Sequence, residues 1–116
     1  MSYMELCFAV LRPLIDAKEL SSPDLEHVLR TALGVFDDPR VVPTVPLGDD
    51  TGLFVCELWH GPTLAFKDLG LQVLGALLDH FLAKRKERLM VLVGTSGDTG
   101  VSACVPCLSA ADGCLL

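Results

Sequence analysis

The residues best equipped for chemistry stand in two short segments, His60-Gly61-Pro62-Thr63-Leu64-Ala65-Phe66-Lys67-Asp68 and Gly94-Thr95-Ser96-Gly97-Asp98-Thr99-Gly100. Lys67 is a primary amine among apolar neighbours, suited to condensing with a carbonyl compound, but only when neutral. At a reference pKa of about 10.4, roughly one lysine in two to three thousand is neutral at pH 7. Desolvation and the positive end of a helix would disfavour the ammonium, whereas Asp68, if turned inward, would oppose them. The competing reading is a lysine that snorkels from a helix start to water. In the second segment, Gly94, Gly97 and Gly100 leave backbone amides uncovered. Those amides, with the hydroxyls of Thr95, Ser96 and Thr99, suit a carboxylate or phosphate. The competing reading is a tight turn in which Asp98 or Thr99 caps the next helix. The segment lacks the Gly-Lys-Ser/Thr ending of a Walker loop and the dinucleotide glycine pattern. His60 is read either as orienting its loop or contacting a phosphate, or as bonded to a backbone carbonyl. His27 and His80 fall within helices and are read as structural.

Both segments should follow strands. Residues 53–58 form a short apolar run, 66–86 a long helix and 89–93 a second apolar run without charge, together a βαβ unit with a right-handed crossover. Ligands in open α/β sheets bind at the carboxyl ends of the strands, so Lys67 and the glycine loop would share one edge. On the long helix, Lys67 shares an apolar face with Gly70, Leu71, Leu74 and Leu78, while Asp68, Gln72, Asp79 and Lys86 make a polar strip. Gly70, Gly75 and Ala76 remove bulk where a backbone or ligand would approach. Upstream, residues 4–15 predict a short helix ending near Arg12, before Pro13. A second helix is signalled by a Ser22 cap, Pro23 in the first turn and a stripe of Leu25, Val28, Leu29, Ala32 and Leu33, ending at Asp37-Asp38-Pro39. Residues 39–50 read as extended connection and turn. There is no internal repeat or low-complexity tract.

A chain of 116 residues with 51% hydrophobic content is in the range of one small domain. Its net charge of -6 disfavours nucleic acid and anionic membranes as partners. The cluster Lys84, Arg85, Lys86 and Arg88 reads as a solvated last helical turn. No apolar run reaches the roughly 18 residues that span a bilayer, and a soluble, cytoplasmic protein is the expectation. Cys7, Cys56, Cys104, Cys107 and Cys114 are odd in number and scattered, as reduced thiols are. Cys104 and Cys107 have metal or redox spacing, but no second pair or nearby histidine completes a zinc site, and no metal is expected.

The order His60-Gly61-Pro62-Thr63, then Ala65-Phe66-Lys67-Asp68, resembles the cofactor segment of the threonine synthase family. The preceding Glu57-Leu58-Trp59 is similar to its animal branch, the threonine synthase-like proteins, and the glycine loop resembles the family's Thr-Ser-Gly-Asp-Thr-Gly. The resemblance covers roughly residues 53–103. It implies an α/β fragment of a fold-type II enzyme and pyridoxal 5'-phosphate as cofactor. It implies Lys67 as the catalytic Schiff-base lysine, Lys67 and Asp98 at the cofactor, and Thr95, Ser96, Gly97 and Thr99 at the substrate. Asp98 stands where many relatives outside this branch have asparagine, which points away from the dehydratases. The implied reaction is that of a lyase on O-phosphorylated amino acids, either threonine formation from O-phosphohomoserine or a phospholyase outcome.

Three regions are expected: 1–52, helical and connecting; 53–103, a partial catalytic domain; and 104–116, a tail that departs from the family. Pro106 is expected to interrupt the helix there, as in a truncated or alternatively spliced end. The family's remaining strands and cofactor-phosphate cup find no counterpart in this length. The alternative is therefore a catalytically inactive fragment with a binding or signalling role, its open sheet edges leading to self-association or a protein partner.

Overall fold

A computed structural model describes residues 1–49 and 51–109, with the backbone alone at 107–109. Helix α1, Tyr3–Leu11, starts at a reciprocal cap: the Glu5 amide donates to Ser2 Oγ (3.2 Å) and the Ser2 amide to Glu5 Oε2 (2.6 Å). It stops where expected, and Arg12–Leu14 tighten into a 3₁₀ turn around Pro13. The Arg12 guanidinium then donates to the carbonyls of Leu20 (2.8 Å) and Ile15 (2.6 Å), which fixes the entry to the next helix.

Helix α2, Ser22–Leu33, buries all five residues of its predicted stripe. Two details differ from expectation. The cap is Ser21, whose Oγ accepts the Asp24 amide (3.3 Å), so Ser22 is already inside the helix. The helix also ends at Gly34, short of the Asp-Asp-Pro sequence, and Phe36 turns back into the core. That core lies between α1, α2 and the third helix. Leu20, Leu25 and Leu29 are fully buried and meet Val73, Leu77 and Phe81.

Residues 39–50, read as connection, contribute a strand. β1, Thr44–Pro46, pairs antiparallel with β2, Phe54–Cys56, with Val45 opposite Val55. Gly48 (φ 75°) and Gly52 (φ 65°) supply the left-handed conformations that turn the chain between them. Asp50 lies outside the described residues.

Helix α3, Asp68–Arg85, is followed by α4, Thr99–Ser109. The expected α/β character holds, but residues 89–93 form no strand, so the parallel βαβ unit is not made. A strand of that composition needs neighbours on both edges and cover on both faces, and here Leu89, Met90 and Leu92 are exposed. Pro106 does not interrupt α4. Its ring sits against Gly75 of α3, where the missing side chain leaves room, and that packing offsets the lost backbone hydrogen bond. Of the tail, 110–116 with Cys114 lies outside the described residues, as does the Cys107 side chain. Cys7 and Cys56 are free thiols, and Cys104 is buried.

The buried face of α3 is also not the expected one. Asp68 (0% exposed), Gln72 (5%) and Gly75 point inward, while Leu74 is half exposed. Around Gly70 an added Cβ would meet nothing within 4 Å.

Candidate functional site

The turn that delivers Lys67 is built from Gly61 onward. Leu64 adopts φ 60°, a conformation that costs a non-glycine residue roughly 1–2 kcal/mol. The turn is held because Asp68 grips it from within: the Thr63 amide donates to Asp68 Oδ2 (2.8 Å) and the Thr63 hydroxyl to Oδ1 (2.7 Å). Gly61 is required beside this carboxylate, since a Cβ there would overlap the Asp68 side chain. The Thr63 hydroxyl also lies 2.7 Å from Ser102 Oγ in α4, and Ser102 is fully buried. Asp68 therefore does turn inward, as the sequence left open, and it binds Thr63.

Lys67 is the residue before α3 rather than a member of its apolar face. Its Nζ does not sit in an apolar pocket; it forms an ion pair with Asp98 Oδ1 and lies 5.6 Å from the Phe66 ring centroid. The pair is accessible, with Lys67 30% and Asp98 54% exposed. The Lys67 ammonium, with smaller help from the amides of Asp98 and Thr99, holds the Asp98 carboxyl below the usual carboxylate range. Two segments 31 residues apart thus meet at one charge pair.

The glycine loop folds on itself around Thr95, whose Oγ1 accepts the Gly97 amide (3.2 Å). Thr95, Ser96 and Gly97 are exposed and Thr99 is half-buried as the first residue of α4. The Asp98 carbonyl accepts the Ser102 amide (3.1 Å), so Asp98 also begins the helix, as the capping reading expected. Asp98, Thr63, Ala65, Phe66 and Trp59 line an open cleft of about 490 Å³. The arrangement offers a primary amine paired with a cleft-lining carboxylate, an aromatic wall, and an exposed hydroxyl-bearing loop that carries that carboxylate.

His60 lies away from the loop. Its Nδ1 is 2.6 Å from Asp37 Oδ1 and its Nε2 is 2.6 Å from Glu57 Oε2. Both ring nitrogens are thus taken by carboxylates rather than by the backbone carbonyl that one sequence reading expected. The two carboxylates, Glu57 foremost, raise the imidazole pKa. The clamp ties the end of α2 to the strand before the lysine turn, and the His60 carbonyl adds a bond from the Asp37 amide (3.0 Å). Beside it, hydrogen bonds from Arg40 hold the Asp38 carboxyl at about 2. His80 lies edge-on to Phe81 in α3, in keeping with its structural reading.

Sequence reasoning passed over Thr63, Ser102, Glu57 and Asp37 as partners in these contacts. Glu57, three residues before His60, was the one local signal; the Thr63–Ser102 contact spans 39 residues and leaves no periodic trace.

No family model matches the chain. It is 48% identical over 105 residues to a threonine synthase of Pseudomonas aeruginosa, covering 90% of this chain and 22% of that protein. A threonine synthase-like 2 protein of Xenopus laevis is 40% identical over 102 residues, covering 88% and 21%. Among solved structures, a PLP-bound threonine synthase from Brucella melitensis superposes with a TM-score of 0.76 at 44% identity, covering 88% of this chain and 21% of that one. The yeast threonine synthase superposes at 0.83 with 35% identity, covering 91% and 23%. Over about nine-tenths of its length the chain therefore resembles threonine synthases and threonine synthase-like 2 proteins, and it spans about a fifth of the length of those relatives.

Proposed function

We propose that this chain carries the lysine-bearing part of a fold-type II, pyridoxal-phosphate-dependent lyase acting on O-phosphorylated amino acids of the O-phosphohomoserine kind. The observation that supports it is the meeting of Lys67 with Asp98 of the glycine loop at the rim of the cleft. The residues present fit the cofactor: an accessible amine is paired with Asp98, which lines an open space walled by Trp59 and Phe66, and the exposed Thr95 and Ser96 stand in the same loop as Asp98. Bound there, pyridoxal phosphate supplies an aldehyde for the amine and a ring that withdraws electrons from the substrate α-carbon.

The chain's own residues then have distinct tasks. Lys67 holds the cofactor and carries a proton at Nζ. Asp98 receives or returns that proton at Oδ1, since it is the carboxylate in contact. Thr95, Ser96, Gly97 and Thr99 orient a substrate anion by hydroxyl and amide donation, the Gly97 amide exchanging its bond to Thr95 Oγ1 for the anion. Phe66 and Trp59 restrict water on one side of the cleft. The free thiols of Cys7 and Cys56 accord with a reducing, cytoplasmic setting.

Borohydride reduction in the presence of pyridoxal phosphate, followed by peptide mass analysis, tests the lysine assignment. The pyridoxyl mass is expected on Lys67 and to vanish in Lys67→Ala; equal labelling of Lys84 and Lys67 would sink it. A second reading, a partner-binding chain without activity, is favoured by exposed Leu89, Met90 and Leu92. Phosphate release from O-phosphohomoserine supports the lyase, and a Lys67 adduct without release supports the second reading.

A further inference from the structure

We propose that Ser102 and Asp68 are positioning residues that act through the Thr63 hydroxyl, fixing the lysine turn and the glycine loop at one separation so that Lys67 and Asp98 face each other across the cleft. The link to cofactor capture rests on the function proposed above.

The direction of the hydrogen bonds follows from counting protons. Both Asp68 oxygens accept from Thr63, one from its amide and one from its hydroxyl. A threonine hydroxyl has one proton, so with that proton given to Asp68 its oxygen can only accept from Ser102. The chain therefore runs from Ser102 through Thr63 to Asp68, with every side-chain proton assigned. Asp68 and Ser102 are both 0% exposed and Thr63 between them is half-buried, so the contact is largely shielded from water.

Location gives this chain its consequence. Asp68 adjoins Lys67, and Ser102 sits in the first turn of α4, directly after the loop that carries Asp98. The Lys67–Asp98 pair is itself accessible, and exposed ion pairs hold geometry weakly. The more buried contact beneath it sets the distance, and the ion pair reports it. Gly75 against Pro106 presses the same two helices together farther along, which leaves the first turn of α4 to be aligned by Ser102.

Ser102→Ala removes one hydroxyl and almost no volume, outside the cleft. Two readouts on the full chain test its effect. In the unliganded chain, the acylation rate of Lys67 relative to exposed Lys84 is expected to rise several-fold, about as far as loss of a neighbouring carboxylate frees an amine. With pyridoxal phosphate, the concentration that half-saturates the reduced Lys67 adduct is expected to rise about ten-fold or more, because small misplacements of a reacting group are costly. Thr63→Ser, which keeps the hydroxyl, is expected to stay near the parent chain in both. Parent-like behaviour of Ser102→Ala in both readouts overturns the proposal, as does Thr63→Ser behaving like Ser102→Ala. If Ser102→Ala does not fold, Thr63→Val compared with Thr63→Ser decides by the same readouts. A parent chain that forms no Lys67 adduct overturns the proposed function instead, and the acylation ratio then judges positioning alone.

Discussion

Two alanine substitutions in one helix should have opposite signs. Gly70 and Gly75 both lie in α3, where alanine is favoured over glycine by up to about 1 kcal/mol. At Gly70 an added Cβ meets nothing within 4 Å, so Gly70→Ala should stabilise the chain by about 0.5–1 kcal/mol. At Gly75 the same carbon would overlap Pro106 Cβ, with Pro106 Cγ at 3.1 Å and Cα at 3.5 Å. A proline ring has no rotamer by which to withdraw, so α4 itself must shift, and overpacking of this kind costs about 1–3 kcal/mol. Set against the propensity gain, Gly75→Ala should be destabilising by about 1 kcal/mol, within roughly 0 to 2. With urea slopes of about 1–3 kcal/mol per molar, the midpoint should move up by roughly 0.2–1 M for Gly70→Ala and down by roughly 0.3–1 M for the central value at Gly75→Ala. The measurement is urea unfolding followed by far-ultraviolet circular dichroism at one fixed protein concentration. Midpoints that rise together by similar amounts would refute the claim that Gly75 and Pro106 set the crossing of α3 and α4.

The His60 clamp predicts a pH dependence of definite sign. Because Glu57 and Asp37 raise the imidazole pKa in the folded chain, its stabilisation is complete below the unfolded value near 6.5 and is lost as pH rises through the folded value. Glu57→Gln should lower the imidazole midpoint seen by NMR, and its stability deficit should close as pH rises; a deficit that is flat with pH contradicts this. Leu29→Ala, at a fully buried site, should cost about 2–5 kcal/mol, whereas Leu92→Ala, at 84% exposure, should stay within about 0.5 kcal/mol. Similar midpoints for the two would mean that the core is not where α1, α2 and α3 meet.

The helix α2 could be read from the sequence because its apolar residues are separated by Asp24, Glu26 and Arg30, which leaves one face to bury. Helix α3 resisted the same reading. Leu69, Leu71, Val73, Leu74, Leu77, Leu78 and Phe81 surround it, so periodicity alone could not choose a face. The choice was made by Thr63 and Ser102, which give Asp68 a hydrogen-bonded setting that an apolar face could not use. Residues 89–93 show the converse limit. Their composition is that of a buried strand, but a strand is completed by neighbouring strands, and composition carries no information about whether those neighbours are present.

The two chemical segments were legible as motifs, and the structure does bring them together, but by a different electrostatic arrangement from the one sequence reasoning preferred. That reasoning looked for desolvation to discharge Lys67. The amine instead rests against Asp98 at an accessible rim. Had the pair been buried, separating it would strand a charge away from water, at a cost of several kcal/mol in general. At the rim, water can take up each partner as the other leaves, so an incoming carbonyl compound can displace Asp98 from the amine without first rearranging the fold. Rigidity and release are thereby assigned to different layers. The more buried hydroxyl–carboxylate contact of Ser102, Thr63 and Asp68 holds the two segments in place, and the accessible ion pair above it stays exchangeable.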